Sequence, residues 1–152
     1  MPAGKGILNY TTVIDPTKTA GECFAMLARH GASKVMILFD DTKEPSGLAF
    51  EIATQWGQRQ YTLPVNVPGV LAALQAGRRA GTVPNRYVNR EQATRTAWRV
   101  LKDWLEAQLA MIESGISALE EIMLPWQMVE PGKTVFQAVN EESLPALTTG
   151  TT

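Results

Sequence analysis

The densest set of side chains that could do chemistry is basic and lies within residues 78–102. Seven basic residues face one acidic residue there, Glu91, which gives the segment a formal charge of +6. Six of the seven are arginine, whose planar guanidinium fork matches the oxygens of a phosphate better than the point charge of lysine does. The seven are Arg78, Arg79, Arg86, Arg90, Arg95, Arg99 and Lys102. This pattern predicts a surface that binds phosphate groups.

Aromatic residues accompany these cations in the sequence. Tyr87 lies between Arg86 and Arg90, and Trp56 lies at a predicted hairpin tip close to Arg59. Proteins that bind single strands combine cations that neutralise phosphates with aromatic rings on which bases stack. We therefore predict a nucleic-acid-binding protein, favouring single-stranded DNA, which it would coat or anneal. The predicted site is Arg78, Arg79, Arg86, Tyr87, Arg90, Arg95, Arg99, Lys102, Trp56 and Arg59.

A charged helix face also has a purely structural interpretation. Arg95, Arg99 and Lys102 follow at i, i+4 and i+7, opposite the apolar stripe of the same helix, so we expect them to face away from the core. The same residues can form i, i+4 ion pairs, which stabilise a helix without any ligand. The three pairs would be Glu91 with Arg95, Arg99 with Asp103, and Lys102 with Glu106.

The acidic end of the chain keeps a second function open. Residues 103–152 carry one lysine and eight carboxylates, a formal charge of −7. These charges complement the basic segment of a neighbouring copy, so a homo-oligomer is one expectation. The alternative to nucleic-acid binding is an interaction protein that counters host defence by binding a host protein or a nucleotide signal.

Catalytic chemistry finds little support in the residue types. The one imidazole, His30, and the one thiol, Cys23, are too few for a zinc site, and both are expected in structural positions on the first helix. Asp40, Asp41 and Glu44 could hold Mg²⁺, and a metal-dependent enzyme would use them, but their neighbours are typical turn residues. We therefore favour a protein without a catalytic residue, metal or cofactor, and leave a metal at the acidic turn as an open alternative.

The elements that must position these residues begin with a predicted sheet. The chain has 152 residues, 45% of them hydrophobic and 19% charged, which fits one globular domain. A β-α-β-β-β order is predicted by segments rich in β-branched and aromatic residues, by the alternation of apolar and polar residues, and by the N-cap signal Asp15-Pro16. The sheet spans residues 7–63, with strands at 7–14, 34–39, 48–53 and 58–63 and a helix at 16–30.

Residues 68–124 form the predicted helical part. Apolar periodicity predicts a short helix over 70–77, a long helix over about 90–112 and a last stretch over 116–123 that Pro125 stops. Asn89 and Gln92 resemble a capping box at the start of the long helix. The predicted fold is a single α+β domain over residues 1–139, an antiparallel sheet packed against a long C-terminal helix, with a flexible polar tail over 140–152.

The location of the protein in the cell is predicted from two features of the sequence, the length of its apolar runs and the composition of its first residues. Apolar runs such as residues 35–39 are far shorter than the roughly 18 residues that a membrane span needs, so we expect no membrane partner. No leader-like segment opens the sequence, which favours the cytoplasm.

One resemblance adds a biological setting. Residues 95–109, Arg-Thr-Ala-Trp-Arg-Val-Leu-Lys-Asp-Trp-Leu-Glu-Ala-Gln-Leu, are the most distinctive stretch. Together with residues 38–41, 47–50, 63–67 and 122–125, they resemble a family of small bacteriophage and prophage proteins of unassigned activity, over about residues 33–126. The resemblance implies a viral product acting in the cytoplasm of a host bacterium. It transfers no catalytic or binding residue.

Overall fold

A computed structural model describes residues 5–141 of the chain. Within them, helices and antiparallel strands form an α+β fold, as predicted. The elements are α1 (Pro16–Arg29), β1 (Ala32–Phe39), β2 (Pro45–Thr54), β3 (Gly57–Pro64), α2 (Val67–Arg79), α3 (Arg90–Glu113), α4 (Leu119–Met123), β4 (Met128–Glu130), β5 (Lys133–Thr134) and α5 (Val135–Glu141). Strands β1, β2 and β3 form one sheet in that order, and β4 pairs with β5.

Helix α1 begins and ends where its sequence signals indicate. The Asp15 carboxylate accepts a hydrogen bond from the Thr17 backbone N–H at 2.8 Å, and Pro16 is the first helical residue. Gly31 adopts φ +98°, a left-handed conformation that suits glycine and lets the chain turn from the helix into β1. The predicted helix over 16–30 is confirmed.

Two consecutive hairpins make the three-stranded sheet, as alternation predicted. Leu48 of β2 pairs with Leu63 of β3, and Phe50 pairs with Tyr61, so large side chains meet on one face. All four are buried, and the Phe50 and Tyr61 rings stack at 5.2 Å. This face of the sheet is therefore the one that builds the core.

The helices complete the core from the buried face of the sheet. Helix α1 packs on β1, β2 and α3, and α2 packs on α3. Trp98 of α3 is fully buried, and its indole N–H donates to the Pro45 carbonyl at 2.9 Å, which ties α3 to the start of β2. The long helix thus contacts both other large helices and the sheet, in agreement with the predicted packing.

The strand predicted over residues 7–14 is wrong. This segment forms turns: the Tyr10 N–H bonds to the Ile7 carbonyl, and Asn9 adopts φ +66°. Its backbone bonds to a side chain instead of a neighbouring strand, because the Gln92 amide donates to the carbonyls of Tyr10 and Thr12 at 2.7 and 2.9 Å. The order of the sheet region is therefore α-β-β-β.

Helix α3 carries a cap that sequence reasoning identified in part. The Asn89 side chain accepts from the Gln92 backbone N–H at 2.8 Å, as a capping residue should. The Gln92 side chain points to the N-terminal segment and not back to Asn89, so the reciprocal half of the box is absent within the described residues. Gly115, at φ +81°, follows the end of the helix.

The C-terminal part holds elements that the sequence did not reveal. Strands β4 and β5 and helix α5 follow α4, and Gln127 forms an antiparallel bridge with Tyr61 that brings this part against β3. The tail predicted from residue 140 begins inside α5, which extends to Glu141, and the rest of it lies outside the described residues. Among residues 5–141, no helix is long and apolar enough to cross a membrane.

Candidate functional site

Arg95, Arg99 and Lys102 form a basic stripe on α3, and Arg99 within it is not free to contact a ligand. The Arg99 guanidinium bonds to the Glu22 carboxylate of α1 at 2.9 Å, and its side chain is 15% exposed. The prediction that the stripe faces away from the core is therefore wrong at this position. The cause is the packing of α1 against α3, which brings Glu22 opposite Arg99 and removes the predicted pair between Arg99 and Asp103.

The neighbouring cations of the stripe are also engaged within the chain. Lys102 is 16% exposed and bonds to Glu106 at 2.6 Å. Arg95 contacts Glu91 at 2.8 Å and donates to the Gln92 side-chain oxygen. Two of the three predicted i, i+4 pairs are confirmed, Glu91 with Arg95 and Lys102 with Glu106, and both stabilise α3 without a ligand.

Arg90, at the start of α3, faces the acidic turn between β1 and β2. Its guanidinium lies 3.7 Å from Asp40 and 3.6 Å from Glu44. Hydrogen bonds from Thr42 and from the Glu44 backbone, with a smaller effect of Arg90, lower the pKa of Asp40. Asp40 accepts three hydrogen bonds that close the turn, and residues 5–141 contain no cluster of three potential metal ligands.

Three arginines of the predicted site remain exposed at one end of the molecule. Arg78 and Arg79 end α2, and Arg86 lies in a 3₁₀ turn before α3. Exposed Lys5 joins them, because Gly6 beside it lies against the Val83 side chain, and the Val83 N–H donates to the Gly77 carbonyl at 3.1 Å, just before Arg78. We call these four cations, together with Tyr87, the basic end.

Within residues 5–141 the cations of the basic end have no acidic partner. Part of this arrangement has a structural reason, because arginines in the last turn of a helix interact favourably with its dipole. The dipole does not account for Lys5, which lies outside the helices, or for Arg86, whose single 3₁₀ turn is too short to have an appreciable dipole. The basic end is thus a concentration of uncompensated positive charge.

Tyr87 is less available for stacking than the sequence suggested. The Arg86 guanidinium lies 4.8 Å from the ring centroid and donates to the Tyr87 hydroxyl at 3.3 Å. The Tyr10 ring packs edge-on against it, with centroids 5.4 Å apart. One face of the Tyr87 ring is therefore covered by the Arg86 guanidinium.

Trp56 and Arg59 lie at the other end of the molecule. Ile52 of β2, close to the hairpin tip, pairs with Ala32 at the start of β1. His30, two residues before Ala32, contacts Glu113, the last residue of α3, so the tip lies toward the C-terminal end of that helix. The 24 residues of α3 span about 35 Å at a rise of roughly 1.5 Å each, which separates this tip from the basic end. The structure therefore divides the predicted site into two parts.

The part at the hairpin tip is a cleft of about 420 Å³ between the β2–β3 hairpin and α4. Trp56 is 67% exposed at its edge. We call this cavity the Trp56 cleft. Its main lining residues are Trp56, Arg59, Tyr61, Glu120, Glu121 and Leu124. Sequence reasoning missed the two glutamates, because α4 lies some sixty residues beyond the hairpin and no local pattern connects them. It also missed Tyr61, although strand alternation places this residue on the same side of β3 as Arg59.

His30 and Cys23 occupy structural positions, as expected. The two ring nitrogens of His30 each lie 2.7 Å from a partner, the Met26 carbonyl and the Glu113 carboxylate. Cys23 is fully buried, and burial raises the pKa of its thiol to about 12. A thiol this basic is protonated at neutral pH and is a poor nucleophile.

Comparisons with protein-family models, with curated proteins and with solved structures gave no match to this chain. The resemblance to phage and prophage proteins thus stays a prediction.

Proposed function

We propose that this protein binds single-stranded nucleic acid through the basic end, and that DNA is its preferred ligand. The observation that supports the proposal is the group of four exposed cations, Lys5, Arg78, Arg79 and Arg86, without an acidic partner in residues 5–141. Uncompensated charges of this kind attract a polyanion and release its counterions on contact. Arg95, Arg99 and Lys102, which the sequence suggested, are left out because their charges are paired on the protein itself.

A single strand suits this surface better than a duplex does. The exposed Arg86 guanidinium, which lies over the Tyr87 ring, offers a planar cation against which an unpaired base can stack. The predicted site includes no helix that could enter a major groove, since α3 has its basic residues turned to α1 and to its own carboxylates. Coating or annealing single-stranded DNA in the cytoplasm of an infected bacterium is the task we propose, and self-association along the strand would serve it.

The salt dependence of binding tests the proposal. Four phosphate contacts with a single strand predict a slope of about −2.8 in log affinity against log salt, at roughly −0.7 for each contact. The assay is fluorescence anisotropy of a labelled 20-nucleotide single strand and its duplex over a salt series. The triple variant Arg78→Gln, Arg79→Gln, Arg86→Gln should flatten the slope by about 2 and weaken binding.

A matched control separates this surface from overall charge. Lys18, Arg29 and Lys34 are exposed cations outside the basic end, so the triple variant that changes each to Gln has the same net charge as the test variant. The control should bind almost as the parent does. Equal slopes for the two triple variants, or no binding by the parent protein, would refute the proposal.

A further inference from the structure

The Trp56 cleft contains charges of both signs that do not satisfy each other. Glu120 and Glu121 form no ion pair with Arg59 or with any other cation in residues 5–141, although all three line the same cleft. Acidic residues are common in the first turn of a helix, which explains their presence on α4. Their position beside an exposed tryptophan and an unpaired arginine has no such structural reason.

Tyr61 provides an independent sign of a ligand. This residue is fully buried, lines the cleft, and has a hydroxyl group without a hydrogen-bond partner among residues 5–141. Buried hydroxyl groups normally have a partner, because leaving one unpaired costs free energy. Burial, and next the nearby charge of Glu120, raises the pKa of this phenol. The hydroxyl therefore stays protonated and can donate a hydrogen bond near the carboxylate.

The net charge of the cleft decides the class of ligand. Two carboxylates and one guanidinium leave a formal charge of −1, which repels a nucleotide phosphate and attracts a cation. The exposed face of Trp56 attracts cations as well, and arginine most often, through its ring quadrupole. Electrostatic complementarity of this kind commonly selects a protein partner.

We propose that the Trp56 cleft binds an arginine side chain presented by a basic segment of a partner protein. The guanidinium of the ligand lies against Trp56 and donates to Glu120 and Glu121. Arg59 and the Tyr61 hydroxyl donate to carbonyl oxygens of the bound peptide. The site is separate from the basic end: it lies toward the C-terminal end of α3, a helix about 35 Å long, whereas Arg86 precedes the N-terminal end. It therefore does not depend on nucleic-acid binding.

Short peptides test the charge requirement directly. The probe is acetyl-Gly-Arg-Gly-amide, compared with the same peptide carrying citrulline, an uncharged side chain of nearly the same shape. Binding is followed on the full chain by the Trp56 indole N–H resonance in ¹⁵N spectra, assigned by its loss in Trp56→Phe. We expect the arginine peptide to shift this resonance and to bind at least about fivefold more tightly than the citrulline peptide.

Variants of the cleft test the location. The double variant Glu120→Gln, Glu121→Gln should weaken binding of the arginine peptide at least about fivefold. The control Asp41→Asn, Glu130→Gln removes two exposed carboxylates outside the cleft and should change binding less than about twofold. Unchanged backbone resonances in each variant verify the fold.

Three results would overturn the proposal. They are equal binding of the arginine and citrulline peptides, no shift of Trp56 with any peptide, and tighter binding of adenosine or guanosine monophosphate than of the arginine peptide. The last result would make the cleft a nucleotide site. The anisotropy assay with single-stranded DNA can succeed or fail independently, because its variants change different residues.

Discussion

The side chain of Gln92 should hold the N-terminal segment onto α3, and its removal should cost much of the stability of the protein. Gln92 is 4% exposed and uses its full hydrogen-bonding capacity. Its amide donates to the carbonyls of Tyr10 and Thr12, and its oxygen accepts from Nε and Nη2 of Arg95. Gln92→Ala removes all four bonds at once.

The expected loss follows from the two carbonyl groups that lose their donor. Each net hydrogen bond contributes about 0.5–1.5 kcal/mol, and a buried polar group left unpaired costs about 1–3 kcal/mol. Because the segment is part-buried and water can reach some of these groups after it moves, we expect a loss of about 2–4 kcal/mol. This is a large part of the roughly 5–15 kcal/mol that stabilises a typical domain.

Urea denaturation measures this loss, and hydrogen exchange locates it. Amide exchange should accelerate most over residues 7–14, where the segment is released locally, and in β2 by no more than the loss of global stability that urea measures. Gln75→Ala, at an exposed position of α2, is the control and should change stability by less than about 0.5 kcal/mol.

A second variant separates the donor from the acceptor. Gln92→Glu keeps the shape and the acceptor for Arg95, but its ionised carboxylate cannot donate to the two carbonyls. It should therefore destabilise the protein at pH 7. A loss below about 0.5 kcal/mol for Gln92→Ala, or parental stability for Gln92→Glu, would refute the reasoning.

Two further predictions concern ion pairs and pH. A double-mutant cycle with Arg99→Met and Glu22→Gln should give a coupling of about 1 kcal/mol in urea denaturation, because the pair is partly shielded from water; a coupling near zero would contradict this. In the folded state the pKa of Asp40 lies below its ordinary value of 3.8. The ionised carboxylate therefore contributes its full stabilising effect above pH 3.8, and this effect is lost as the pH falls through the folded-state pKa. Asp40→Ala should therefore lose less stability than the parent between pH 7 and pH 3, and an equal loss in both would count against the turn bonds as the cause.

Local patterns in the sequence predicted most of the regular structure. Helix α1 follows from the Asp15-Pro16 start signal, and the two hairpins follow from alternation between polar turns. The segment over residues 7–14 has the same β-branched composition, but its backbone partner is a side chain from α3, 80 to 82 residues away. Strand propensity reports how a residue fits a sheet and cannot reveal that no neighbouring strand is present.

The candidate sites show the same limit at the level of side chains. Helical spacing placed Arg95, Arg99 and Lys102 on one side of α3, but the prediction that this side faces away from the core is wrong at Arg99, because α1 packs there. The proximity of Trp56 to Arg59 is local and was predictable. The presence of Glu120 beside them depends on the path of the chain through α4, which no sequence spacing encodes.

The division of the predicted site changes what one molecule could do. A single surface with arginines and both aromatics would have bound one strand along its length, with every contact weakened by the same salt. The two surfaces lie toward opposite ends of α3, a helix about 35 Å long, whereas the Debye length at physiological ionic strength is about 8 Å. A charge bound at one surface is therefore screened from the other. On this argument, single-stranded DNA and a basic partner segment would occupy the protein together, and each would be lost through its own substitutions.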